Sequence, residues 1–183
     1  MRKLFALGVL TLLVVSLASA QFGPAKGKMT LGPAVELSLP IGNFSDFANF
    51  GFGGVARFEY GLDNNLALTA NAGYLTWGGK DVEGFSDYTN SAIPIIVGVK
   101  YGFSQGLFVS GELGLYNYNI SYTLQDPYGL GYGGEYSGSS TEFMFAPGIG
   151  YQTGALEGLL RFYVLDTDLM NLSLMVAYNF NLN

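Results

Sequence analysis

The chain contains neither cysteine nor histidine. Disulfide frameworks, Ser-His-Asp and Cys-His nucleophiles and histidine-based zinc sites are therefore excluded. Charge is also scarce, at 12% of residues, where a soluble domain carries about 25%. The balance is acidic, with a net charge of −6, which disfavours nucleic acid as a partner. Beyond residue 20 no apolar run reaches the ~18 residues that a membrane-spanning helix needs. Helical stripes of three or more turns are absent as well.

What is present begins with an unusual first segment. Arg2 and Lys3 precede an apolar run from Leu4 to Leu17, and Ala18-Ser19-Ala20 follows with small residues. This is the pattern of a cleaved secretory signal, too short and wrongly flanked for an anchor. Residues 1–20 are read as that signal and 21–183 as one domain starting near Gln21. Aromatics are abundant at 15%, and there are 27 glycines.

From residue 29 onward the chain alternates with period two, as strands do. Eight segments are predicted: 29–39, 51–60, 65–77, 93–101, 107–118, 142–151, 156–164 and 172–182. One face of each is apolar, as in Val35, Leu37 and Leu39 or Ile93, Ile95, Val97 and Val99. The other face carries every charged residue of these segments: Glu36, Arg57, Glu59, Lys100, Glu112, Glu142, Glu157 and Arg161. A charge-free face repeated in every segment is what lipid demands of a β-barrel. Lipid also forbids open strand edges, so the sheet is expected to close. The predicted class is all-β: an eight-stranded antiparallel up-and-down transmembrane barrel, monomeric and resident in the outer membrane.

An eight-stranded barrel has room inside for side chains and little else. Buried charges must pair or cost several kcal/mol each. The eight charged residues are therefore expected to form a salt-bridged plug in the lumen. Short links (61–64, 102–106, 152–155) alternate with long polar ones (40–50, 78–92, 119–141), as periplasmic turns alternate with external loops. The link 165–171 is shorter than the other external ones. Tyr60, Tyr101, Tyr151 and Tyr178 end the even strands on the apolar face, and are expected to form an aromatic girdle at the periplasmic rim. Pro33 and Pro94 sit near strand starts, whereas Pro147 lies inside a strand and predicts a bulge or a broken ladder.

The stretches Val35–Phe47 (VELSLPIGNFSDF), Gly51–Gly54, Gly73-Tyr74 and Gly98-Val99-Lys100-Tyr101-Gly102 resemble the outer-membrane protein β-barrel domain family. That family groups with OmpA-, OmpX- and OmpW-like small barrels. The resemblance spans essentially residues 21–183 and implies eight antiparallel strands and outer-membrane residence. It also implies contact with membrane lipid and lipopolysaccharide, and insertion by the outer-membrane assembly machinery. That machinery recognises a terminal aromatic residue in such barrels. Here the chain ends Phe180-Asn181-Leu182-Asn183, so Phe180 stands in for it.

No catalytic, cofactor or metal residue is assigned. Glu112 and Glu142, on adjacent strands facing the lumen, form a carboxylate pair that could act as acid and base, and pairing with basic neighbours is the stronger reading. Gly129, Gly131 and Gly134 match G-x-G-x-x-G without the strand and helix that motif requires. Tyr122, Tyr128, Tyr132 and Tyr136 belong to the same glycine-rich loop, read as mobile or as a sticky external surface. The external links carry Asp46, Asp81, Glu83, Asp87, Asp126, Glu135, Asp166 and Asp168 against Lys80. Such a surface is read as solvated, with divalent bridging to lipopolysaccharide as the functional variant. Two rival functions remain open: a narrow porin-like channel, and a secreted lipocalin-like carrier with its apolar face turned inward.

Overall fold

The computed structural model describes residues 23–80, 85–124, 134–166 and 169–182. The signal assigned to 1–20 lies outside these residues. So do Asp81, Glu83, Asp126, Asp168 and the loop holding Gly129, Gly131, Tyr128 and Tyr132.

Eight long strands follow one another: β1 (Met29–Ile41), β2 (Ala48–Asp63), β3 (Leu66–Gly79), β4 (Phe85–Ser104), β5 (Leu107–Leu124), β6 (Gly134–Thr153), β7 (Leu156–Asp166) and β8 (Leu169–Tyr178). Past Asn179, Phe180–Asn181 continues β8 against the start of β1. One helical turn, α1 (Phe44–Phe47), links β1 to β2. Each strand pairs antiparallel with its sequence neighbour, and β8 returns to β1, so the sheet closes. Closure leaves no strand edge within the belt for lipid to meet.

The period-two pattern resolves into an outside and an inside. Ile95 is 60% exposed while its neighbour Ile96 is 1% exposed. Val35, Val97, Leu113, Phe145 and Val176 share the outward orientation of Ile95. The exposed charges among the described residues, Lys26, Lys28, Asp46, Asp63 and Lys80, all lie at the ends of the barrel. The lipocalin-like reading needs the reverse arrangement, apolar within and charged without. It is overturned by this orientation.

Strand bounds differ from the sequence reading at both ends. The three predicted periplasmic links shrink to two-residue turns at Asn64-Asn65, Gln105-Gly106 and Gly154-Ala155. Gly106 has φ +77, a left-handed conformation that a side chain resists. At the other end the links read as long loops are mostly strand. β5 pairs with β6 without interruption from Leu107↔Tyr151 to Leu124↔Gly134. Ser, Asn, Thr and Gly in 117–123 and 134–141 mask the alternation there, although the ladder runs on. The wall is therefore tall at β5, with 18 residues, and low at β8, with 10. The short 165–171 link belongs to this low side, where the β7–β8 ladder ends at Asp166↔Leu169.

Pro33, Pro94 and Pro147 each coincide with a ladder gap that leaves the register unchanged, whereas Pro40, near the end of β1, stays in register opposite Asn171. The β6–β7 ladder lapses around Pro147, between Phe145↔Val164 and Gly148↔Arg161. The β3–β4 ladder lapses at Pro94, between Ala72↔Ile95 and Leu75↔Ala92. Pro33 faces the break at Asn179 that divides the end of β8. A missing N–H removes rungs without shifting the strand.

Candidate functional site

The inner half of the lumen holds a continuous charge network. Glu36 comes from β1, Arg57 and Glu59 from β2, Lys100 from β4, Glu112 from β5, and Glu157 and Arg161 from β7. Inward parity places them there, and all seven are buried. Arg57 lies at the hub. Its Nη1 meets Glu112 Oε1 at 2.6 Å and its Nη2 meets Glu157 Oε1 at 2.8 Å. Its Nε is 3.4 Å from Glu59 Oε1, a Coulombic contact without hydrogen-bond geometry.

Glu112 bridges the two arginines, because its Oε2 accepts from Arg161 Nη1 at 2.9 Å. Arg161 Nη2 then donates to Glu36 Oε2 at 2.7 Å, and the Ser173 hydroxyl donates to Glu36 Oε1. On the other flank Lys100 Nζ meets Glu59 Oε1 at 2.5 Å and Glu157 Oε2 at 3.1 Å. Charges at these separations on fully buried side chains are weakly screened, so the pairs must satisfy one another.

Neutral side chains complete the shell. Thr69 Oγ1 and Asn71 Nδ2 donate to Glu112, and Asn71 Oδ1 accepts from Arg57. Gln152 Oε1 accepts from Lys100 Nζ at 2.6 Å, and Asn179 Nδ2 donates to Glu157 Oε2 at 3.1 Å. With Ser173 on β8 and Gln152 on β6, every strand contributes a group. Thr69, Asn71, Ser173 and Asn179 share the parity of the charged set, which is the signal that marks them. Gln152 falls one inward step past the predicted end of its strand.

Glu142 is the exception among the eight predicted network residues. It is half-buried, lies opposite Tyr116 in register, and has no ion pair among the described residues. Four residues of β5 separate that level from Glu112, and aromatic rings fill the interval. The geometry therefore gives no Glu112–Glu142 pair for acid–base chemistry.

Those rings occupy the outer half of the lumen. Trp77, Tyr116, Tyr118 and Tyr163 pack with Leu75, Ile96 and Met144, and Phe44 of α1 covers them. Phe44 meets Trp77 edge-on at 5.6 Å, and Tyr116 meets Tyr163 at 5.7 Å. Trp77 Nε1 donates to Ser38 Oγ at 3.0 Å. Arg161 lies 5.1 Å from the Tyr163 ring centre, joining the two layers. Room for the network comes from small residues: a Cβ on Gly98 would sit 2.6 Å from Glu112 Cγ.

The four rim tyrosines lie on the outward face beside the short turns. Tyr101 and Tyr178 are about half exposed, whereas Tyr60 and Tyr151 are half-buried. Tyr178 also packs against Phe180 with the rings tilted at 60° and centroids 4.9 Å apart.

No protein-family model matches the chain, and no curated protein matches it in sequence. Solved structures do match. Ail, the attachment invasion locus protein of Yersinia pestis, aligns with TM-score 0.61 at 13% identity, over 85% of this chain and 99% of that one. Its complex with the heparin analogue sucrose octasulfate aligns with TM-score 0.59 at 13% identity, over the same shares. The outer-membrane protein Ail of Yersinia pestis in a phospholipid bilayer nanodisc aligns with TM-score 0.51 at 14% identity, over 85% of this chain and 100% of that one. At such identities the likeness is one of fold, and the fold is that of a small, closed, eight-stranded outer-membrane β-barrel.

Proposed function

We propose that the chain is a bacterial outer-membrane barrel with a closed lumen and a structural or surface-interaction role rather than an enzymatic one. The observation that carries this reading is the reversal of polarity: a charge-free apolar exterior around seven paired internal charges. An exterior of that kind is stable in hydrocarbon and far exceeds the apolar patches tolerated in water. The rim tyrosines sit at the periplasmic interface of the bilayer. The tall β4–β6 wall stands outside, among lipopolysaccharide. Phe180 serves the assembly machinery, and the barrel acts as a monomer.

Two stacked layers, ionic and aromatic, close the bore. Planar-bilayer recording tests this directly. Purified protein is expected to give no steady current. A reproducible open-channel conductance would replace this reading with the narrow-channel one. Gel mobility of unheated against boiled detergent extract provides the folding control, since a compact barrel migrates differently before boiling.

A further inference from the structure

We propose that a groove on the outer face of the barrel, over Ala70 and Gly111, is a binding site for one acyl chain of a phospholipid in the periplasmic leaflet. The proposal rests on the barrel reading above and goes beyond it. That reading surrounds the whole charge-free face with lipid but holds no lipid in place.

The first observation is the shape of the wall. Register sets two adjacent rows of outward residues across β2 to β5. In one row Ala70 lies between Phe58 and Val97. In the next, Gly111 lies beside Val99. Ala70 and Gly111 therefore sit diagonally on either side of β4, and each leaves a gap among larger side chains. A groove of about 580 Å³ lies over them, within the range of about 300–1,000 Å³ typical of small-ligand sites. A Cβ added at Gly111 would meet nothing within 4 Å, so the space above it is open. Phe58 and Tyr60 wall the groove on the β2 side and Leu113 on the β5 side.

The second observation is the chemistry of the lining. No charged residue lines the groove. Thr69 Oγ1 is turned inward, where it donates to Glu112. The Tyr60 hydroxyl is then the one side-chain polar atom left to the groove among its lining residues. Such a surface suits hydrocarbon and offers a charged headgroup no partner. Position names the source of the chain. Tyr60 belongs to the rim, and Val99 is one outward step from Tyr101 of the same rim. The groove thus lies in the leaflet beside the short turns, the periplasmic one, where phospholipid rather than lipopolysaccharide supplies the chains.

The third observation is what lies behind the groove. Gly98 lines it from outside, and a Cβ on Gly98 would sit 2.6 Å from Glu112 Cγ on the inside. At that point no side chain separates the groove from the carboxylate that bridges Arg57 and Arg161. A seated acyl chain supplies there the apolar cover that a side chain gives elsewhere. It keeps water off the thinnest part of the wall, and buried pairs are strongest in a medium of low dielectric. A second copy of the chain is the rival occupant. A stable protein interface takes about 20–30 residues a side, whereas ten residues line the groove.

The test uses protein extracted from the envelope in mild detergent, and the heat-shift gel is read first. A chain without a heat shift, or one recovered as soluble periplasmic protein, defeats the barrel reading itself. An intact barrel is exchanged into bilayer discs of palmitoyl-oleoyl phosphatidylglycerol, released in mild detergent and weighed by native mass spectrometry. One retained phospholipid is expected. In Gly111→Leu the new side chain fills the groove, and the ratio of lipid-bound to lipid-free barrel is expected to fall at least about tenfold, worth ~1.4 kcal/mol. Gly158→Leu is the control. Gly158 lies on the outward face of β7, away from the groove, and a Cβ there also meets nothing within 4 Å. Its lipid retention is expected to stay within about twofold of wild type.

An equal fall in both variants, or a wild type that retains no lipid, overturns the proposal and leaves the barrel reading standing. A lipid-free dimer in the wild type overturns it in favour of a second copy. Discs of phosphatidylcholine with the same chains are expected to give the same retention, and dependence on the headgroup overturns the acyl-chain assignment. If Gly111→Leu loses its heat shift, Ala70→Leu fills the other end of the floor, carries the same expectation and decides.

Discussion

Arg57→Met removes the guanidinium that meets Glu59, Glu112 and Glu157. Lys100 and Arg161 are then left to hold four carboxylates. Removing one partner of a buried pair costs about 3–5 kcal/mol, and with three partners stranded the upper end, ~5 kcal/mol, is expected. Glu112→Leu removes the carboxylate between Arg57 and Arg161. Each arginine keeps another carboxylate, so the lower end, ~3 kcal/mol, is expected. Independent effects would sum to ~8 kcal/mol in the double variant. The two side chains are partners at 2.6 Å, so each single variant includes the penalty of stranding the other, and the double variant does not. A coupling of about 2–3 kcal/mol is expected, bringing the double variant to roughly 5–6 kcal/mol. Equilibrium urea unfolding in lipid vesicles measures all four corners, read by the fluorescence of Trp77, the only tryptophan of the chain. Additivity within about 0.5 kcal/mol would mean that the seven charges do not act as a unit.

Other perturbations discriminate more locally. Glu142→Gln is expected to stay within about 0.5 kcal/mol of wild type in the same assay, because it breaks no ion pair; a loss as large as that of Glu112→Leu would return it to the network. Gly98→Val forces a side chain against Glu112 Cγ and Gly111 O, so a loss of about 1–3 kcal/mol is expected, and an unchanged urea midpoint would show that the glycine is not needed for packing. On a heparin column at about 0.15 M salt the protein is expected to flow through. Its external links are acidic in sequence, and retention would refute that reading of its surface.

The parity of the strands was legible because lipid and lumen make opposite demands on neighbouring residues. Val97 and Lys100, or Leu113 and Glu112, cannot exchange faces without exposing an ion to hydrocarbon. The charged members of the network followed from parity alone, since an inward charge in a narrow barrel has nowhere to go but to another inward charge. Level along the strand was not legible. Glu142 has the right face and the wrong height, and height depends on the stagger between strands, which no single strand encodes. Gln152 was hidden by a strand end placed one residue early, where Thr153 and Gly154 look like turn. The outer extensions of β4, β5 and β6 were hidden by their composition. Ser137, Gly138, Ser139 and Ser140 face solvent on both sides of the wall, so no polarity contrast marks them as strand.

Which surface of the closed sheet touches hydrocarbon is measurable with two samples. In bilayers of phospholipid brominated along the acyl chains, bromine quenches any tryptophan it contacts. Trp77 is 1% exposed within the lumen, and its emission is expected to survive. In Trp77→Phe/Phe145→Trp the single tryptophan moves to an outward position that is 48% exposed in the wild type, and strong quenching is expected. Quenching of Trp77 with emission preserved at position 145 would contradict the assignment of the charge-free face to lipid.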